Sequence, residues 1–156
     1  MKVKEVEEVL LNKFPGAPLN RDESGLTGAL WSLVTPLSGI RDAAKAFDSA
    51  GFFLESITAL DFEDTFELVY HFNYYEPGSR VAVRVLCGHD QVPPSIYDIY
   101  RGAAWLEREV HDFFGIEFSG NPDMRPLLLP EDADYHPLRK TFGKVGAYHK
   151  REVIYG

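Results

Sequence analysis

The stretch Phe66-Glu67-Leu68-Val69-Tyr70-His71-Phe72-Asn73-Tyr74 decides the fold. Phe66, Leu68, Tyr70, Phe72 and Tyr74 recur at every second position, with Glu67, His71 and Asn73 between them. Alternate side chains of a strand point to opposite faces, so the pattern predicts a strand with one buried face. Glu76-Pro77-Gly78-Ser79 follows with turn chemistry, and Val81, Val83 and Val85 then alternate with Ala82 and Arg84. The two strands and their turn read as a hairpin.

Upstream of the hairpin, residues 52–61 have strand character. Residues 28–35 form another candidate strand, with Trp31 and Leu33 on the face opposite Leu30 and Val34. Between them Ile40, Ala44 and Phe47 stand at helical spacing, with Ser38 as candidate N-cap and Gly51 just past the end. Val3, Val6 and Leu10 mark an amphipathic helix over residues 3–14, stopped by Pro15-Gly16-Ala17-Pro18. Downstream, Pro93-Pro94 interrupts the chain. Ser95 with Asp98 three residues on resembles a capping box that opens a long helix to about Phe114. Beyond Gly115 the periodicity ends, and Gly120-Asn121-Pro122-Asp123, Pro126, Pro130 and His136-Pro137 forbid a long regular element.

The expected architecture is α+β: a small mixed or antiparallel sheet covered by helices over residues 1–118, then an extended irregular C-terminal strap over residues 119–156. Leu127-Leu128-Leu129 in the strap need a surface to cover, on this domain or on another subunit.

Composition narrows the function. The 156 residues are 45% hydrophobic and 26% charged, an ordinary globular balance. The net charge of −8 and a pI near 5.1 argue against nucleic acid as a partner. Cys87 is the single cysteine, which excludes a disulfide framework and cannot hold an iron–sulfur cluster or a structural zinc. No run approaches the roughly 20 apolar residues that span a bilayer, and the acidic start is unlike a targeting segment. A soluble, intracellular, single-domain chain is expected. Charge is unevenly spread: residues 1–130 hold 20 acidic and 11 basic groups, whereas residues 131–156 hold 4 and 5. The basic tail of Arg139, Lys140, Lys144, Lys150 and Arg151 is either a solvated terminus or an arm that orders against a partner.

The densest charge lies in Trp105-Leu106-Glu107-Arg108-Glu109-Val110-His111-Asp112-Phe113-Phe114. Ile99, Ala103, Leu106, Val110 and Phe113 form the natural core stripe. Trp105, Arg108, Glu109 and Asp112 share another face. Glu107 with His111, and Arg108 with Asp112, are four apart and within reach of one another. Three chemistries compete for the cluster. Glu107, His111 and Asp112 could bind a metal, although nothing else supplies ligands. Glu107 and Glu109 could do acid–base work, but two residues apart on a helix they point to different faces. The face could instead be structural, its charges pairing within the helix, with a partner or with the C-terminal segment, and the spacing favours this. No glycine-rich phosphate loop or nucleophile elbow is present. His71 and His89 read as strand-face and loop residues, His136 as a support for backbone or carboxylate contacts, and Tyr135, Tyr148 and Tyr155 as packing residues.

The run from Trp105 to Ile116 resembles the signature helix of the 30 kDa-type peripheral-arm subunit of NADH–quinone oxidoreductase (respiratory complex I), and of its relatives in membrane-bound hydrogenases. The likeness continues through Phe118, Gly120, Pro122-Asp123-Met124-Arg125 and Leu127 to Pro130, and resumes at His136-Pro137-Leu138-Arg139-Lys140. Ile57-Thr58-Ala59-Leu60-Asp61, Val69-Tyr70-His71 and Val92-Pro93-Pro94-Ser95 also fit. The resemblance implies a scaffold with no cofactor of its own, FMN and Fe–S clusters being carried by partner subunits. It implies packing against a large quinone-site subunit and iron–sulfur subunits, peripheral to the membrane on its cytoplasmic side. The strap would pack on partner subunits, reaching across neighbours of the peripheral arm, and gain order on assembly. No catalytic, cofactor or metal residue is assigned. Trp105, Glu107, Arg108, Glu109, Asp112, Asp123, Arg125, His136, Arg139 and Lys140 are expected to be structural or inter-subunit contacts, and Gly115 the helix C-cap. Membership of a membrane-bound [NiFe] hydrogenase, formate hydrogenlyase or related dehydrogenase is the alternative, and a stand-alone binding domain a further one.

Overall fold

The computed structural model describes residues 2–142. Along the chain run α1 (Lys2–Lys13), β1 (Leu19–Arg21), β2 (Trp31–Thr35), a 3-10 turn (Leu37–Gly39), α2 (Ile40–Ser49), β3 (Phe53–Asp61), β4 (Phe66–Asn73), β5 (Val81–Cys87) and α3 (Ala103–Phe114). The strands form one sheet in the order β1-β2-β5-β4-β3. β2 runs parallel to β5, and every other pair is antiparallel. The expected α+β fold with a mixed sheet and helical cover is what the chain adopts.

The hairpin of β4 and β5 pairs from Phe66↔Cys87 to Phe72↔Val81. Its inner face meets the apolar stripes of the helices: Val3, Val6 and Leu10 from α1, Ile40, Ala44 and Phe47 from α2, and Ala103, Val110 and Phe114 from α3. Phe47 stacks on Phe72 with ring centroids 4.2 Å apart and planes 9° from parallel. Burying each such ring contributes roughly 1.5–3 kcal/mol.

Three details of the sheet and of α2 depart from expectation. β4 is buried on both faces in its first half, Glu67 and Val69 included. On the outer face Ala29, from the loop after β1, packs with Val69 and Ala82, and Arg84 reaches Glu67 at 2.6 Å. β1 has only three residues between a proline and Asp22, too few to reveal a period. Ser38 falls inside the 3-10 turn, so α2 starts after Gly39 without a side-chain cap. A Cβ at Gly39 would stand 2.8 Å from Cε1 of Phe14, and this close approach requires glycine.

The capping box is the largest correction. α3 begins at Ala103, not Ser95, and its N-cap, Gly102, offers no side chain. The Ser95 hydroxyl does accept the Tyr97 N–H at 3.1 Å. Asp98, however, is drawn out to the Arg41 guanidinium by two hydrogen bonds of 2.6 Å. The segment before α3 is instead bridged to the strap, with Ser95 N–H to the Ser119 carbonyl at 2.8 Å and Ser119 N–H to the Pro93 carbonyl at 2.9 Å.

After α3 no helix or strand occurs among the described residues beyond that isolated Pro94–Ser119 bridge. Among the described residues no helix is long and apolar enough to cross a membrane. Lys144, Tyr148, Lys150, Arg151 and Tyr155 lie outside the described residues.

Candidate interface at helix α3 and the C-terminal strap

The buried face of α3 includes Ala103, Glu107, Val110 and Phe114, at spacings of four, three and four, so a carboxylate stands inside the core stripe. Leu106 and Phe113, expected there, are only partly buried. Glu107 is 0% exposed. The Ser95 hydroxyl donates to its Oε1, while Oε2 is buried without a hydrogen-bond partner. Burial pushes this carboxyl up to about 7.

Asp112 faces the strap. Its Oδ2 accepts the backbone N–H groups of Leu127 (2.8 Å), Leu128 (2.7 Å) and Leu129 (3.2 Å). Burial works to raise the pKa of this carboxyl, yet the three donors outweigh it and hold the group below its ordinary value. The amides of the three adjacent leucines thus converge on one anion, while their side chains are only partly covered, Leu128 remaining exposed. Arg108 grips the preceding residues, donating from Nε to the Arg125 carbonyl and from Nη2 to the Pro126 carbonyl, both at 2.9 Å. Asp123 lies 3.8 Å from Arg108 and takes two hydrogen bonds of 2.9 Å from the Arg125 side chain. Those bonds hold Asp123 well below the usual carboxylate range.

The helix end is capped by the strap as well. Gly115 adopts φ 78° as the left-handed C-cap and donates its N–H to the His111 carbonyl. A Cβ there would meet the His136 ring at 2.8 Å. His136 Nδ1 lies 3.0 Å from the carbonyl of Asp112, and the Leu138 N–H donates to the Phe113 carbonyl at 3.0 Å. The last carbonyls of an α-helix have no partner within the helix, and here two of them find one in an irregular segment more than twenty residues on.

Farther along, the strap hooks onto the end of β3. Arg139 Nε and the Lys140 N–H reach Oδ2 of Asp61 at 3.0 and 2.9 Å, and His89 Nε2 lies 3.1 Å from Oδ1. The Arg139 guanidinium also sits 4.9 Å over the Phe66 ring. Sequence reasoning passes over Asp61 although a signal exists. Ile57, Ala59 and Asp61 share one face of a strand, and a carboxylate in such a row demands a partner.

The structure therefore brings Arg108, Asp112, Gly115, Asp123, Arg125, His136, Arg139 and Lys140 into one fastening of strap to body. Glu107 stands behind it in the core. Trp105, 67% exposed, and Glu109 stay at the surface. The helical pairs Glu107–His111 and Arg108–Asp112 do not form, because each member takes a partner from outside the helix. His111 Nδ1, for instance, faces the Ile116 carbonyl at 3.1 Å. Metal binding by Glu107, His111 and Asp112 is not built here: the three look toward different partners, and a nest of N–H donors around Asp112 repels a cation.

Comparisons with known proteins agree with this anatomy. Residues 33–148 match the family model described as respiratory-chain NADH dehydrogenase, 30 Kd subunit. The chain belongs to that family. The match starts in β2 and takes in β3, β4, β5, α3 and the strap as far as residue 148. An NADH-quinone oxidoreductase subunit of Sinorhizobium medicae is 35% identical over 136 residues, 84% of this chain and 65% of that protein. The mitochondrial NADH-ubiquinone oxidoreductase 30.4 kDa subunit of Neurospora crassa is 41% identical over 96 residues, 60% of this chain and 34% of that protein. The corresponding NADH-quinone oxidoreductase subunit of Azorhizobium caulinodans is 43% identical over 84 residues, and the chain spans 40% of its length. Less than two thirds of each of these curated relatives is therefore covered. A solved chain of the membrane-bound sulfane sulfur reductase, an archaeal respiratory membrane complex, superposes with a TM-score of 0.76 at 31% identity, over 92% of this chain and 87% of that one.

Proposed function

We propose that the chain is a structural subunit of a membrane-associated NADH–quinone oxidoreductase. In this reading it packs on a large quinone-site subunit and on iron–sulfur subunits. It sits peripherally on the cytoplasmic side and carries no electrons itself. The observation that carries the reading is the family match through α3 and the strap, whose charged groups are engaged in fastening backbone rather than in converging on a substrate. FMN and Fe–S clusters belong to the partner subunits. Cys87 supports that division, since one thiol cannot ligate a cluster. Burial also pushes it up to about 11, away from the thiolate form. The role is to hold the quinone-reducing end in shape while electrons pass from NADH through neighbouring chains and protons are translocated.

The test is purification of the tagged full chain from gently solubilised native membranes, with the co-purifying chains identified by mass spectrometry. Recovery of a quinone-site subunit together with flavin- and NADH-binding chains is the expected result. Recovery of the bait alone would sink the assignment.

A second reading places the chain in a relative of the sulfane sulfur reductase, or in a membrane-bound [NiFe] hydrogenase or formate hydrogenlyase. It is favoured by the extent of the structural match, 87% of the archaeal chain, against 65% of the Sinorhizobium protein. Recovery of a large subunit without any NADH-binding chain would select it.

A further inference from the structure

Where the chain passes from the sheet to α3, one serine carries the junction. Residues 88–102 form no helix or strand apart from the isolated Pro94–Ser119 bridge. Ser95 engages every polar group it has. Its N–H donates to the Ser119 carbonyl at 2.8 Å, and its carbonyl accepts from Arg41 Nη1 at 2.6 Å. Its hydroxyl donates to Glu107 Oε1 and accepts the Tyr97 N–H. Ser95 and Ile96, both buried, are thereby laid against the Glu107 side chain.

The groups around Glu107 suit an acid better than a carboxylate. Its Oε2 is buried with no hydrogen-bond partner. From β4 it meets Tyr70, a phenol that burial keeps neutral. From α2 it meets the field of Arg41, but that guanidinium is held by both oxygens of Asp98 at 2.6 Å, and Asp98 is itself a like charge. A buried carboxyl with no cation of its own keeps its proton. The Ser95 hydroxyl, the Asn121 side chain and the Ile96 N–H favour the charge, and burial outweighs them, in keeping with the value of about 7.

We propose that Glu107 is a proton-operated latch on the Pro93–Asp98 segment, closed as the neutral acid and released as the carboxylate. When the acid gives its proton to water, the charge left behind has one hydroxyl donor and no cation. Hydrating that charge requires Ser95 and Ile96, which seal it, to move away. The movement leaves the core intact, because the segment belongs to no ladder or helix, and such segments open at lower free energy than the elements around them. The entry to α3 thus loosens as pH rises through neutrality while the sheet stays closed.

Amide hydrogen exchange on the full-length chain at pH 6 and pH 8.5 tests the latch, read as protection factors so that the base-catalysed rise in intrinsic rate cancels. Protection at Ser95 and Tyr97 is expected to fall about tenfold between the two, the factor set by values of about 7 closed and an ordinary 4.5 open. At pH 8.5 it should lie roughly a hundredfold below that of Tyr70 and Val83, paired in the sheet, which marks an opening smaller than unfolding. Protection that does not change with pH would overturn the proposal. Exchange of Ser95 and Tyr97 in step with Tyr70 and Val83 at both pH values would do the same, since only global unfolding would then hydrate Glu107. Glu107→Gln keeps the Ser95 contact with no proton to lose, and its protection at both amides should stay within about twofold across the range. A tenfold fall that persists in this variant would assign the effect to another group. Direct NMR titration of the Glu107 carboxyl carbon in the wild-type chain needs no variant. Its midpoint is expected near 7, and ionisation already complete at pH 6 would sink the latch.

Discussion

The sheet body and the strap are held by opposite means. In the body, apolar side chains from three helices and the sheet share one core, and the polar backbone is satisfied by ladders and helical turns. In the strap the backbone has no ladder. Several of its amides and carbonyls are taken by side chains of the body, Asp112, Arg108 and Asp61, while its own His136 reaches back to the helix end. A core is one cooperative unit, so a loss at one point is felt throughout it, whereas a segment held by a few separate fasteners is freed locally where one is removed. The contrast predicts global effects for body substitutions and local effects for strap substitutions.

The largest effect should come from Phe47→Ala, which removes a ring stacked on Phe72 and completely buried. A loss of about 3–5 kcal/mol is expected from transfer and cavity terms together. It should appear in chemical denaturation as a lowered midpoint for every probe at once. A variant that lost only strap signals would break the division between the regions.

Glu107 sharpens the comparison because it is a polar group on the body side. Its folded value of about 7 stands above an ordinary 4.5. Between those pH values the folded chain holds a proton that the unfolded chain has released. Stability therefore falls as pH rises through that window and levels off above it. Glu107→Gln keeps the Ser95 contact, so it should flatten the profile and raise stability at pH 8 by on the order of 2–3 kcal/mol. Denaturation midpoints at pH 5 and pH 8 check this, and an unchanged slope in the variant would assign the effect elsewhere.

Asp112→Ala should cost about 2–3 kcal/mol, the range for several buried hydrogen bonds to a charged group. The loss should be confined to the strap and read by faster amide exchange at residues 127–129 with the midpoint of the body little moved. Smallest is Gly115→Ala, expected to cost roughly 1–2 kcal/mol for a side chain in the left-handed region, with the His136 ring displaced in addition. A shift of the His136 ring resonances in NMR without a change at Phe47 would confirm that the cap belongs to the strap.

The two regions also differ in how far the sequence discloses them. β4 and β5 are legible because alternation is a local property, and Val3, Val6 and Leu10 announce α1 the same way. The strap's irregular character is legible from its prolines. Its fastening is not, because Asp112 to Leu128 or Arg139 to Asp61 has no period to count. The family resemblance points to most of the fastening residues without saying what they touch. The Ser95–Asp98 spacing misleads for the same reason: Arg41, 57 residues away, decides where Asp98 goes. Residue type alone puts Glu107 on a charged surface, whereas its spacing from Ala103 and Val110 puts it in the core.

The parallel pairing of β2 with β5 carries a consequence for biosynthesis. Ser32 pairs with Ala82, so β2 leaves the ribosome some fifty residues before its neighbour exists. At 5–20 residues per second that is a wait of roughly 3–10 s. Throughout it β2 has only the three-residue β1 to pair with, so the backbone edge that β5 takes stays open to other chains. The open edge is an aggregation hazard that lasts until the middle hairpin is made, well ahead of any encounter with the rest of a complex.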